Sequence, residues 1–363
     1  MKTCTVVMVA ALLLVSVHVA HAEVPIDLSN TSSATSGKTG VVLSGITVEG
    51  VDGEFWAHMV WNPVTMKFEL GTAGVGRVES SSDVVSSANW SAVETVTVEM
   101  KELSSTQFVF EPNHLTFTAG RPYILRIKNA NGNASKHYLT AAEFYKSIAT
   151  RKAQTGDAEY KAPYFKAFEL KTGTDRQLEL FFVPMVPGEY GFLCTIPGHA
   201  ELGMTGTITV VGEPQNPIDL QVASEWSRPL DIDPRTSGSH EVWSSRETVE
   251  VTLVEGPEAG DFSFSPSSVP LAKDHAYVVK IQNPAGNGSK HYFTTTDFYR
   301  TLVLRKAEDS HAEIKAPYFN AIELLVGGST ELFVVPTKSG IYPSLCTVPG
   351  HAAGGMVGSV TVQ

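Results

Sequence analysis

From Trp90 onward the chain alternates short runs of apolar, β-branched and aromatic residues with breaks at Gly, Pro and Asn. The runs Glu94–Met100, Tyr123–Lys128, Gln177–Phe182, Gly188–Leu193 and Met204–Val211 have the length and period of half-buried strands. Many short strands with turn signals between them predict a β-sandwich or barrel. One stretch departs from this pattern. From Ala141 to about Gln154, Phe144, Ile148 and Ala149 fall at helical spacing, which predicts an inserted helix.

The pattern occurs twice. Trp90-Ser91 and Glu94-Thr95-Val96 return as Trp243-Ser244 and Glu247-Thr248-Val249, and His137 to Leu170 aligns without a gap to His291 to Leu324. A repeat of about 120 residues is domain-sized, so a whole domain is duplicated. Thr295–Ala307 repeats the expected helix. We divide the chain into a signal segment (1–22), an N-terminal β-rich region (23–88), a first domain (89–211), a linker (212–241) and a second domain (242–363). A hairpin is expected around Gly53–Leu70.

The first residues fix the expected compartment. Lys2, an apolar run from Val6 to about Val19, and Ala20-His21-Ala22 have the plan of a secretory signal, so a periplasmic or extracellular protein is expected. No stretch reaches the ~20 apolar residues of a membrane span. The net charge of −11 argues against nucleic acid as a partner. Of three cysteines, Cys4 leaves with the signal, and Cys194 and Cys346 remain. In an oxidising compartment two cysteines ordinarily pair, but here each opens a different motif.

Those motifs carry the chemistry. Cys194-Thr-Ile-Pro-Gly-His199-Ala-Glu-Leu-Gly-Met204 and Cys346-Thr-Val-Pro-Gly-His351-Ala-Ala-Gly-Gly-Met356 both read Cys-x4-His-x4-Met after a strand. Thiolate, imidazole and thioether on one loop form a soft ligand set, and two imidazoles and a thiolate with a long axial Met form a blue-copper electron-transfer site. The missing imidazole lies upstream, as His137 and His291, each after an Asn (Asn129, Asn283) and a short loop.

This order resembles the cupredoxins, the plastocyanin and azurin superfamily, over roughly 90–211 and 243–363. The resemblance implies an all-β protein: two tandem Greek-key β-sandwich domains, each with a helical insertion, plus the small N-terminal β region. It implies two copper ions per chain, held by His137, Cys194, His199 and Met204 and by His291, Cys346, His351 and Met356. More than 50 residues separate each first His from its Cys, which departs from the family's usual spacing. A non-enzymatic electron carrier is expected, with a cytochrome or a copper oxidoreductase as redox partner. The alternatives are a nitrite reductase-like or multicopper oxidase-like enzyme, or a copper storage or delivery protein. No His-x-His pair of the kind that builds a trinuclear copper cluster occurs in the chain, and no Met-rich or His-rich tract.

Other expectations are local. Thr195 and Thr347 are placed to support the thiolates. Ile196, Pro197, Ala200 and Leu202, with Val348, Pro349, Ala352 and Ala353, either pack the loops or form apolar docking patches around His199 and His351. His114, His240, His275 and His311 are read as surface residues, and His58, Met59 and Met66 as a weak further candidate for copper. Asn30, Asn89, Asn133 and Asn287 head Asn-x-Ser/Thr sequons and serve as glycan acceptors or as turn residues.

Overall fold

In the computed structural model, residues 84–212, 243–258 and 260–363 are described with their side chains, and the strands between residues 16 and 75 and the start of a helix at Ser81 as backbone alone. The chain divides into Met1–Glu79 and Ser80–Gln363. In the first unit, β1 (Ser16–Val19) pairs with β2 (Ala22–Pro25), and β3 (Ser33–Ser36), β4 (Gly40–Val48), β5 (Val51–Asn62) and β6 (Lys67–Val75) form a four-stranded antiparallel sheet. The expected hairpin is the β5–β6 pair. The signal segment falls partly on residues 1–15, outside the described residues, as do Met66, His240 and nearly all of the linker.

The second unit holds both repeats. The first contributes β7 (Glu94–Ser104), β8 (Gln107–Glu111), β9 (His114–Thr118), β10 (Tyr123–Asn129), β11 (His137–Thr140), β12 (Ile148–Gln154), β13 (Ala158–Lys161), β14 (Ala167–Leu170), β15 (Gln177–Pro184), β16 (Gly188–Leu193) and β17 (Thr205–Val211). The second contributes β18 (Glu247–Glu255), β19 (Phe262–Ser265), β20 (Ser268–Leu271), β21 (Tyr277–Gln282), β22 (His291–Phe293), β23 (Leu302–Glu308), β24 (Ala312–Lys315), β25 (Ala321–Leu324), β26 (Ser329–Pro336), β27 (Gly340–Leu345) and β28 (Val357–Val362). The protein is all-β, as expected, and each repeat is a sandwich of two sheets.

In the first repeat one sheet runs β13-β12-β15-β10-β7-β8 and the other β14-β11-β16-β17-β9. Alternation decides what faces inward: in β10, Tyr123, Leu125 and Ile127 are buried while the residues between them reach the surface. Phe117, Tyr123, Phe144 and Phe182 interlock edge to face inside the sandwich. Each such ring contributes roughly 1.5–3 kcal/mol by leaving water.

The insertion differs from its expected form. The helix covers only Ala142–Lys146, and Ile148–Gln154 is β12, paired with β15. Phe144 and Tyr145 fill the core from that single turn. Ile148 and Ala149 are buried because β12 lies against β15, so their helical spacing is coincidental. In the second repeat the helix is Thr296–Arg300, followed by β23.

The rest of each insertion joins the two domains. β13 pairs antiparallel with β25, and β14 with β24, so both sheets of the first sandwich continue into the second. The two junctions are equivalent by internal symmetry: Ala158 faces Leu324 in one, and Ala312 faces Leu170 in the other.

Candidate metal centre

Each first His opens a short strand, β11 or β22, and points into the sandwich with no exposed surface. Each Cys follows the neighbouring strand, β16 or β27, and begins the loop that ends at the Met. That loop is tied by backbone bonds: Cys194 N–H donates to Met204 O (3.0 Å), Met204 N–H to His199 O (2.9 Å) and His199 N–H to Ile196 O (3.1 Å). Cys346, Met356, His351 and Val348 repeat the set at 3.1, 3.0 and 3.1 Å. Met204 and Met356 are completely buried and fastened between their Cys and His.

The folding brings the separated donors together. His137 Nδ1 lies 3.1 Å from His199 Nδ1, and Cys194 Sγ lies 3.6 Å from His199 Nδ1. In the second domain the same pairs are 3.0 and 3.6 Å apart. All three donor atoms of each buried group lie within 4.8 Å of one another. Both cysteines are free, each in its own domain's group. Two imidazole nitrogens and a sulfur crowded this closely, in a buried space of mixed soft and borderline donors, fit one copper ion.

Electrostatics prepare the donors. Burial, then the neighbouring His199, lowers the His137 pKa to about 4, so the ring is neutral at physiological pH. Burial and His351 lower that of His291. Nε2 of His137 bonds Glu102 Oε1 at 3.1 Å, and Nε2 of His291 bonds Glu255 Oε1 at 3.0 Å. An ionised carboxylate on Nε2 fixes the tautomer that leaves the Nδ1 lone pair free for a metal. Burial alone would raise the Glu102 pKa, but backbone donors at Ala134 and Ser135 outweigh it and bring the value down. Glu255 is lowered in the same way through Ser289 and Gly288. Burial raises the pKa of each thiol. The N–H groups of Tyr138 and Ile196 oppose this at Cys194, and those of Tyr292 and Val348 at Cys346.

Two features escape a reading of the sequence alone. Glu102 and Glu255 lie far from the ligand loops in the chain. Phe108 stacks flat on His199 (centroids 4.1 Å apart, 7° between planes), and Phe262 on His351 (4.0 Å, 13°). The strand carrying Phe108 can approach because Gly203 lacks a Cβ: one placed there would sit 3.2 Å from Phe108 O, and its φ of +105° also favours glycine. The available signal is repetition: both halves carry a Glu near the end of the first long strand and a Phe on the strand after it.

Several local expectations are corrected. The Thr195 hydroxyl lies 3.3 Å from that of Thr140, and the described donors to the sulfur are backbone N–H groups. His275 and His311 are half-buried, because His275 packs on Tyr277 and His311, in the turn between β23 and β24, lies against Gly156 of the first repeat, while His114 is exposed. Asn133 Nδ2 donates to Met100 O and Asn129 Oδ1, and Asn287 Nδ2 to Leu253 O and Asn283 Oδ1. Both amide protons are used, so these two Asn residues brace the first-His loop, in line with the turn-residue reading. Asn89 caps a short helical turn through Ser91 N–H. Among the loop residues, Pro197 and Leu202 are exposed and Ile196 packs against the core. His58 and Met59 lie on β5, described as backbone alone.

The sandwich and its buried His-Cys-His groups define a cupredoxin-type domain. Residues 96–211, nearly all of the first repeat, match the family model described as copper binding proteins, plastocyanin/azurin family. No curated protein is matched by sequence. Among solved structures, a copper-containing nitrite reductase from Thermus scotoductus aligns at 15% identity, covering 75% of this chain and 62% of its own, with a TM-score of 0.27. The chain thus spans under two thirds of that enzyme. Auracyanin B aligns at 20% identity over 33% of this chain and 89% of its own (TM-score 0.23). A multicopper oxidase from Campylobacter jejuni aligns at 12% identity over 85% of this chain and 72% of its own (TM-score 0.28).

Proposed function

We propose that the chain is a secreted electron carrier holding two mononuclear type 1 copper ions, one in each cupredoxin-type domain. The observation that carries this reading is the pair of buried His-Cys-His groups, each with its donor atoms within 4.8 Å and each closed by a loop ending in a buried Met. His137, Cys194, His199 and Met204 would hold one ion, and His291, Cys346, His351 and Met356 the other. Copper would supply one-electron exchange between two oxidation states. The residues would keep the site similar in both states through the tied loop, the stacked Phe and the carboxylate on Nε2, which limits reorganisation. The signal-like N-terminus supports a periplasmic or extracellular protein, and the redox character of the sites supports a redox partner such as a cytochrome or a copper oxidoreductase.

Copper analysis with visible and EPR spectroscopy on the loaded protein tests the reading. We expect two coppers per chain, intense blue absorption and narrow hyperfine splitting. Cys194→Ser and Cys346→Ser should each remove about half of the colour. Colourless loaded protein would reject it, and a third copper would move the reading to a catalytic oxidoreductase.

A further inference from the structure

We propose that each metal site is positioned by the opposite domain, through Tyr138 and Tyr292, so that the two sites are crossed across the domain junction. This rests on the reading of the two His-Cys-His groups as metal sites. Tyr138 directly follows His137, and its backbone N–H donates to Cys194 Sγ at 3.4 Å. Its side chain leaves the sandwich on the outer face of β11 and ends on the second domain. The phenol donates to Glu313 Oε1 at 2.8 Å, Lys315 Nζ donates to the phenol oxygen at 3.2 Å, and the same ammonium lies 4.7 Å from the ring centre.

The arrangement is reciprocal. Tyr292 follows His291, and its N–H donates to Cys346 Sγ at 3.3 Å. Its phenol reaches Glu159 Oε1 of the first domain at 3.4 Å, accepts from Lys161 Nζ at 2.8 Å, and its ring lies 4.6 Å from that ammonium. Register explains the reach. Tyr138, Glu169 and Glu313 stand side by side on β11, β14 and β24, and Tyr292, Glu323 and Glu159 do so on β22, β25 and β13. A tyrosine spans the distance to a residue two strands away, at ~4.8 Å per strand.

Each tyrosine is therefore held at two ends. One end is a ligand sulfur of its own domain, and the other is an acid–base pair of the other domain. Glu313 is itself fixed by Lys306 at 2.7 Å, and Glu159 by Lys152 at 2.5 Å, so the anchors are rigid. Moving the anchor moves the peptide that donates to the thiolate and that carries the first His. Glu313 and Glu159 are thus positioning residues for the site in the domain they do not belong to.

The test uses the full chain and two readouts. The first is metal-independent: backbone hydrogen exchange in the apo protein. Tyr138→Phe and Glu313→Gln should speed exchange at the residue-138 amide roughly tenfold, since a hydrogen bond to a charged group contributes more than 1 kcal/mol, and leave Tyr292 N–H unchanged. Tyr292→Phe and Glu159→Gln should do the reverse. The second readout is the copper EPR spectrum. With Cys346→Ser silencing the second site, Glu313→Gln should alter the remaining spectrum, and with Cys194→Ser it should not. Unchanged exchange at Tyr138, or equal changes at both tyrosines, would overturn the crossed arrangement. A crossed exchange pattern in protein that takes up no copper would preserve the positioning and reject the metal reading instead.

Discussion

The two domains agree inside and differ outside. Around the two His-Cys-His groups the corresponding nitrogen and sulfur separations match within 0.1 Å, and the same Glu, Phe, Asn and Tyr recur in the same contacts. On the outer sheet face beside each ligand loop the likeness ends. The second domain presents Ile341, Pro343, Leu345 and Val357, all exposed. The first presents Glu189, Gly191, Leu193 and Thr205 at the matching positions. The junction is also unequal at one place. Thr155 and Asp309 are equivalent by repeat, yet they meet: Thr155 Oγ1 donates to Asp309 Oδ2 at 2.6 Å, joined by the Tyr160 hydroxyl at 2.8 Å. Duplication has kept the pocket, while the outer face beside the ligand loop and the junction have diverged.

The comparison can be broken most sharply at the stacked rings. Phe108→Ala, which removes a buried ring, should destabilise the apo protein by about 3 kcal/mol in urea unfolding, and Phe262→Ala, whose ring is half-buried, by slightly less. If the interiors are equivalent, the two losses agree within about 1 kcal/mol, and a clear difference would deny that likeness.

Acidification separates the sites next. A folded pKa of about 4 at His137, below the unfolded value of 6.5, means that the unfolded chain binds the proton more readily. Stability should therefore fall as pH drops from about 6.5 toward 4, by up to roughly 3 kcal/mol from this group. Glu102 and Glu255, held below their ordinary range, lose stabilisation in the same direction at the acid end. Buried Asp309, whose pKa is raised, acts oppositely. Unfolding of His137→Phe from pH 7 to 4 should show a shallower slope than the parent; an identical slope would refute the assignment.

Smaller again is the junction. Asp309→Ala removes the acceptor that the Thr155 and Tyr160 hydroxyls share and the one that receives the His311 and Ala312 N–H groups, and should cost about 1–3 kcal/mol. Thr155→Ala removes one donor and should cost less. Losses in the reverse order would mean that the asymmetry is incidental. At the surface, Ile341→Glu and Glu189→Ile should each change stability by no more than about 0.5 kcal/mol. If the faces have specialised, only Ile341→Glu alters the rate of electron exchange with the partner.

How much of this was legible in the sequence follows from locality. Cys-x4-His-x4-Met places three donors on one loop, and alternation within β10 or β15 announces strands, so the fold class and both loops are readable. Glu102 and Phe108 reach their sites from strands far away in sequence, and no local pattern links them to His137 or His199. The helix expected over Ala141–Gln154 failed because Phe144 and Ile148 are spaced alike in a helix and across the turn between a short helix and a strand. The pairing of β13 with β25 lies beyond periodicity altogether, since both are four-residue segments buried at almost every position, Glu159 and Glu323 included, and their partners are set by tertiary contact.

Strands shared between the halves bear on how such a protein could arise and be taken apart. Either half alone would leave the backbones of β13 and β14, or of β24 and β25, as bare edges, which invite association. Severed between residues 213 and 242, the halves should still find one another. They should also prefer the unlike partner, because two copies of the second half would bring Asp309 against Asp309, and two carboxylates cannot share one dry position while both are charged.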